Sequence, residues 1–149
     1  MVKHLELDCI VYGNGNKFHI EKFVPVKNFR FVKPKGGLWA SPVNSRYGWK
    51  EWCADNDFGY FDTKFEFTYS GNTLVVESES DLIGLPVDPD MRLLGFLNFE
   101  ELARSGIDAI FLTEEGEHAT RFSEPGLYGW DCESILVMNP HCVKEYSYR

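Results

Sequence analysis

The sequence predicts a single α+β domain in which strands dominate. Three observations carry that prediction: seven or eight short runs with strand periodicity, two segments with helix-start signals, and no repeat or linker dividing them. With 149 residues the chain has the size of one ordinary domain, spanning 1–149. A chain of this length buries roughly 70% of the surface its unfolded form exposes, so a self-sufficient core is expected.

Leu5 to Tyr12 alternates apolar with polar and then turns apolar, which reads as a first strand. Gly13-Asn14-Gly15-Asn16 ends it with turn chemistry. Lys17 to Lys33 is ambiguous, although Phe29-Arg30-Phe31 alternates. The loop Lys33-Pro34-Lys35-Gly36-Gly37 releases into a short strand, Leu38-Trp39-Ala40-Ser41, closed by Pro42. A helix capped by Asn44 or Ser45 follows, with Trp49, Trp52 and Cys53 at i, i+3, i+4 as its buried stripe. Thr63 to Thr68 and Leu74 to Val76 flank Ser70-Gly71-Asn72, the signature of a hairpin. Ser80 to Asp90 reads as irregular. Asn98 with Glu101 three positions on is a capping box, and Gly106 stops the helix it opens. Ile107 to Leu112 reads as a strand and Glu114 to Gly126 as a polar loop. Ile135 to Met138 forms a buried strand that stops at Asn139-Pro140, and Val143 to Tyr148 adds a last strand.

Composition narrows the function. Fifteen basic and 23 acidic residues give a formal net charge of −8, which disfavours non-specific binding to nucleic acid. Against that background Lys22, Lys27, Arg30, Lys33 and Lys35 form a local basic cluster, read as either a solvated face or an anion-attracting patch. The aromatic share is 15%, mostly core by expectation, with some available to line a pocket for a flat ligand. The four cysteines show no C-x-x-C spacing, so neither a zinc site nor a compact disulfide framework is expected. No stretch approaches the roughly 20 apolar residues of a membrane span. The expected setting is cytoplasmic, with reduced thiols. The histidines offer little: His4 and His118 lie in polar contexts, His19 reads as outward-facing, and His141 follows a strand break.

Two segments carry candidate chemistry. Asp131 and Glu133 stand two residues apart at the head of the Ile135 strand, where strand geometry would project both from one face. Such a pair, beside Trp130, is suited to chemistry on an electron-poor carbon; by itself it also reads as solvated acids at a strand edge. The second segment is Gly37 to Ser41, leading into the helix of Trp49 to Cys53.

In order and separation these two segments resemble the ADP-ribosyltransferase superfamily, most closely its poly-ADP-ribose-polymerase-like branch. There a glycine–apolar–aromatic strand feeds a helix, and a later strand begins with a catalytic glutamate and reads Glu-x-apolar-apolar-apolar-Asn-Pro. Here the match is Glu133-Ser134-Ile135-Leu136-Val137-Met138-Asn139-Pro140, and the resemblance covers about thirty residues. It implies a strand-rich split-sheet domain with two or three helices, and NAD as substrate. It also implies that Glu133 is the catalytic carboxylate, that Trp39 replaces the usual stacking tyrosine, and that Ser41 stands where the toxin-like branch keeps a serine. Asp131 falls at a position that influences the acceptor, which would be a protein. In the first strand the family places His or Arg beside Gly to grip the ribose; this chain has Tyr12-Gly13, and a tyrosine hydrogen-bonds but carries no positive charge. Gly37 would let backbone approach the ligand, and Arg30 with its neighbouring lysines would attract the pyrophosphate. Three readings follow: an NAD-consuming enzyme, a non-catalytic relative that binds a nucleotide, and an acidic interaction protein whose aromatics are all core.

Overall fold

A computed structural model describes residues 1–13, 18–29, 33–57, 63–90, 96–123, 126–127 and 129–148. Arg30 and Phe31, and with them the alternation expected there, lie outside the described residues. The described chain mixes strands with short helices, an α+β architecture. The strands are β1 (Val2–Gly13), β2 (Leu38–Pro42), β3 (Thr63–Val76), β4 (Ala109–Leu112), β5 (Ser134–Val137) and β6 (Val143–Tyr148). The helices are α1 (Trp49–Asp55), α2 (Phe99–Arg104) and α3 (Glu114–Thr120). None of the described helices is long and apolar enough to cross a membrane.

The strands pair in the order β1-β2-β5-β4-β3, and β3 pairs back onto β1, which closes a five-stranded barrel. β6 lies outside the ring on β3. Closure rests on the length of β3. Its first half pairs with β6 from Phe65 to Tyr69, and its last residues pair in parallel with β4 from Thr73 to Val76. Along its other edge it matches β1 from Thr63 to Leu74.

Alternation along these strands divides the apolar residues into two layers. Cys9, Ala40, Phe65, Phe67, Tyr69, Ala109, Ile135 and Val137 come from all five ring strands, pack against one another and fill the barrel. On the outer face Leu74, Val76, Ile110, Leu112 and Leu136 receive Leu82, Phe99, Leu102, Leu127 and Trp130 from the connections. A parallel β3–β4 pair needs a crossover, and the segment that carries α2 supplies it while covering that face.

Three sequence expectations are corrected. The hairpin at Ser70-Gly71-Asn72 does not form: β3 runs straight through these residues, because β1 pairs with each of them and Asp108 accepts a hydrogen bond from the Asn72 amide at 2.8 Å. The first helix begins at Trp49, not after Asn44 or Ser45, since the Glu51 carboxylate takes the Gly48 amide and Ser41 takes the Trp49 amide. Glu114 to Thr120 is a helix, not a loop; Thr113 caps it by accepting from the Gly116 amide. Glu114, Glu115 and Glu117 in its first turn suit the helix N-terminus.

Gly116 is the residue that disguises α3 as a loop, and packing explains it. A Cβ at this position would collide with the Val76 carbonyl at the end of β3. Gly116→Ala is therefore expected to lower unfolding free energy by about 1–3 kcal/mol despite its gain in helix propensity. Urea denaturation of the purified variant measures this, and an unchanged or raised midpoint would show that α3 is not pressed against β3.

Candidate functional site

The two segments singled out by sequence meet on neighbouring strands. β2 and β5 pair antiparallel, with Trp39 opposite Leu136 and Ala40 opposite Ile135. On the other edge of β2, Ser41 pairs with Ile10 of β1. The strands bearing Tyr12 and Trp39 and the strand that follows Glu133 thus lie side by side.

Ser41 ties the region together. It is 3% exposed; its hydroxyl donates to the Glu133 carbonyl at 2.9 Å and accepts from the Trp49 amide at 3.0 Å. Gly48 permits that approach, because a Cβ there would lie 2.7 Å from the Ser41 hydroxyl. The Glu133 amide in turn donates to the Tyr47 carbonyl at 3.2 Å. Ser41 therefore positions Glu133 and the start of α1, and its hydroxyl is committed to the backbone rather than presented to a ligand.

Glu133 and Asp131 precede β5, which starts at Ser134, so they do not project together as a strand pair would. Asp131 binds the Lys33 ammonium at 3.3 Å. The Glu133 carboxylate accepts from the Glu114 amide at 3.3 Å. Burial raises the Glu133 carboxyl above its ordinary range; the Glu114 amide offsets this in part, the charges of Glu114 and Glu115 add to it, and Arg46 opposes it. Both acids line a cavity of about 510 Å³ whose walls include Tyr47, Trp52, Glu114, His118 and Arg121.

Tyr12, Gly37 and Trp39 line a second cavity, of about 550 Å³, with Phe18, Phe23 and Lys64. Lys50 sits 5.7 Å from the Tyr12 ring centroid and brings a positive charge beside it. Gly13 ends β1 opposite Thr63. The Gly36-Gly37 turn, at φ 75 in both residues, makes its close backbone approach to the chain itself: the Gly37 amide donates to the Val24 carbonyl at 2.8 Å. Among the lysines meant for a pyrophosphate, Lys33 is paired with Asp131 and Lys35 lies 4.4 Å over the Phe29 ring.

Between the two cavities stands a cluster of tryptophans. Trp39 meets Trp130 at 4.7 Å and Trp49 at 6.2 Å between centroids, and Trp49 meets Trp52 at 5.9 Å, all edge to face. The buried indole nitrogens of Trp49 and Trp130 have no hydrogen-bond partner among the described residues. Glu133, one residue before β5, is three positions from Leu136, the register partner of Trp39, about 10 Å along the strand direction at ~3.3 Å per residue.

Other chemistries fit less well. All four thiols are buried and held protonated, Cys132 pushed up to about 12 and Cys142 to about 11. A thiolate nucleophile needs the opposite shift. No group of three or more His, Cys, Asp or Glu among the described residues is arranged to hold a metal ion. Sequence reading missed Glu114, His118 and Arg121 because it missed α3; Thr113 followed by acids was the available signal.

Two outcomes test this geometry. Ser41→Ala strands the Trp49 amide and the Glu133 carbonyl and is expected to cost about 1–3 kcal/mol of stability by urea denaturation. For Glu133, the folded-state pKa lies above the unfolded one, so the folded state holds the proton more tightly. Between the two values stability falls as pH rises, and below both the loss disappears. Glu133→Gln removes that slope, so the variant should gain on wild type as pH climbs from about 4. Parallel stability–pH curves for the two proteins would contradict a buried, destabilised carboxylate.

No protein-family model, curated protein or solved structure matches the chain.

Proposed function

We propose that the chain is a divergent ADP-ribosyltransferase-like domain that consumes NAD, passing ADP-ribose to a protein acceptor or, in the degenerate case, to water. The observation that carries this reading is the Ser41–Glu133 hydrogen bond at 2.9 Å. It joins the glycine–tryptophan strand to the glutamate segment, two stretches 92 residues apart in sequence that the resemblance requires to act together. Strand order adds support: β5, β2 and β1 are consecutive neighbours, so all three strands that carry the family's motif positions adjoin.

The chemistry follows from charge. Cleavage of the bond between nicotinamide and ribose passes through an oxocarbenium-like transition state, as glycoside hydrolysis does. A fixed carboxylate stabilises the positive charge that grows on the sugar, and Glu133 is held by Ser41, Tyr47 and Glu114 before any substrate arrives. The Trp39 face offers the cationic nicotinamide a cation–π contact of roughly 0.5–2 kcal/mol. Lys50, beside Tyr12, supplies a positive charge near the position where the family has His or Arg. Asp131 lies on the same cavity as Glu133 and would act on the acceptor side.

One observation favours a second reading. Trp39 and Glu133 open onto different cavities, which suits a non-catalytic relative that binds a nucleotide or an ADP-ribose-like ligand. Nicotinamide release from NAD separates the two. Wild type should release nicotinamide, and Glu133→Gln should lower the rate by at least about a hundredfold while its melting temperature is not lowered. Stabilisation by NAD or ADP-ribose without turnover would favour the binding module. Neither turnover nor stabilisation would defeat both.

A further inference from the structure

We infer that the mouth of the barrel is a binding site for a flat aromatic carboxylate. The last residues of β1 and the first of β2 and β3 meet at one end of the ring, where Tyr12 pairs with Lys64 and Val11 with Phe65. The chain from Phe18 to Val24 forms the facing wall, and the cavity of about 550 Å³ lies between. Barrel mouths are a recurrent place for small-molecule sites, and this volume falls in the range that holds a drug-sized ligand.

Two features of the lining select the occupant. The first is a fixed aromatic floor. Phe18 stacks on Phe65 at 5.7 Å and Phe65 on Phe67 at 5.4 Å, with ring planes 18° and 22° apart. Phe65 and Phe67 are buried in the barrel interior, so the stack offers a flat ring a preformed surface. Tyr12 and Phe23 add further ring area. Such a floor favours a planar body over a flexible chain, which loses more conformational freedom on binding.

The second feature is charge of one sign. Lys22, from the turn Ile20–Lys22, and Lys64, from β3, both line the cavity, and among the described residues no acid does. Neither lysine forms a salt bridge with a described residue. His19 lines the cavity too, but it already faces Glu21 at 3.6 Å. Lys50 brings a further ammonium to 5.7 Å from the Tyr12 ring centroid. In a chain of net charge −8 this makes a local positive well, whereas Glu114, Glu117, Asp131 and Glu133 line the other cavity. A carboxylate can accept from the Lys22 and Lys64 ammonium groups while its ring rests on the aromatic floor.

This inference goes beyond the NAD reading and does not rest on it, since neither Glu133 nor any bond cleavage takes part. The test titrates naphthoate, an anion, and naphthamide, its neutral counterpart, into the full chain by calorimetry. Wild type should bind naphthoate about 2- to 30-fold more tightly than naphthamide, the range that two partly exposed ion pairs allow. Lys22→Ala combined with Lys64→Ala should remove that preference and leave naphthamide binding unchanged. Lys3→Ala combined with Lys144→Ala takes the same charge from exposed positions that do not line the cavity, and should preserve the preference. Phe23→Ala should weaken both ligands alike, because it removes floor and no charge. Thermal denaturation checks that each variant is folded. Equal affinity of wild type for the two ligands, or no binding of naphthoate, would overturn the proposal whatever the variants do. An equal loss of preference in both double variants would also overturn it, by tracing the effect to net charge instead of the barrel mouth.

Discussion

The barrel depends on β3 remaining one uninterrupted strand. Ser70, Gly71 and Asn72 are turn residues by composition, yet β3 must cross them to reach both β6 and β4 along one edge while lying along β1 on the other. Asp108 enforces the crossing: its carboxylate takes the Asn72 amide, its own amide donates to the Asn72 carbonyl at 2.7 Å, and its carbonyl takes the amides of Met138 and Asn139. One short acidic residue thus clamps β3 to the chain beyond β5.

How much of this is legible from residues alone depends on the range of the interaction. Local signals survive: Asn98 caps α2 as its spacing indicates, Pro42 ends β2, and the apolar run after Glu133 is a buried strand. Signals that tertiary contacts override do not. The Ser70-Gly71-Asn72 turn signature fails because β1 pairs along the segment and Asp108 takes the Asn72 amide and donates to its carbonyl. The cap of α1 moves from Asn44 or Ser45 to Gly48 because Ser41, seven or eight residues upstream, is the better acceptor for the first helical amide. At the site, the adjacency of β2 and β5 was implied by the two motifs, whereas the partition into two cavities was not. That partition comes from the tryptophans of α1, and no spacing rule states where a short helix will lay its side chains.

The charges of the site show the same division. The acids cluster around the Glu133 cavity, where Glu114, Glu117 and Asp131 join it, while lysines sit toward Tyr12 and Trp39. Lys33 spans the boundary, salt-bridged on one side and resting on indole on the other. Within the basic cluster, which reads in sequence as either a solvated face or an anion-attracting patch, Lys33 and Lys35 lie over aromatic faces.

The β1–β3 seam also sets how the chain reaches this state. Its bonds join residues far apart in sequence, 60 positions between Asp8 and Thr68 and 74 between Met1 and Val75. Little local structure rewards the chain before that long loop closes, since the α-helices among the described residues are each seven residues or fewer. Folding should therefore be slow for a domain of this size, in the millisecond-to-second regime of non-local β topologies. Until the seam zips, β3 is an aromatic-rich strand with both edges open, which makes the interval before closure the time at which the chain is most prone to self-association.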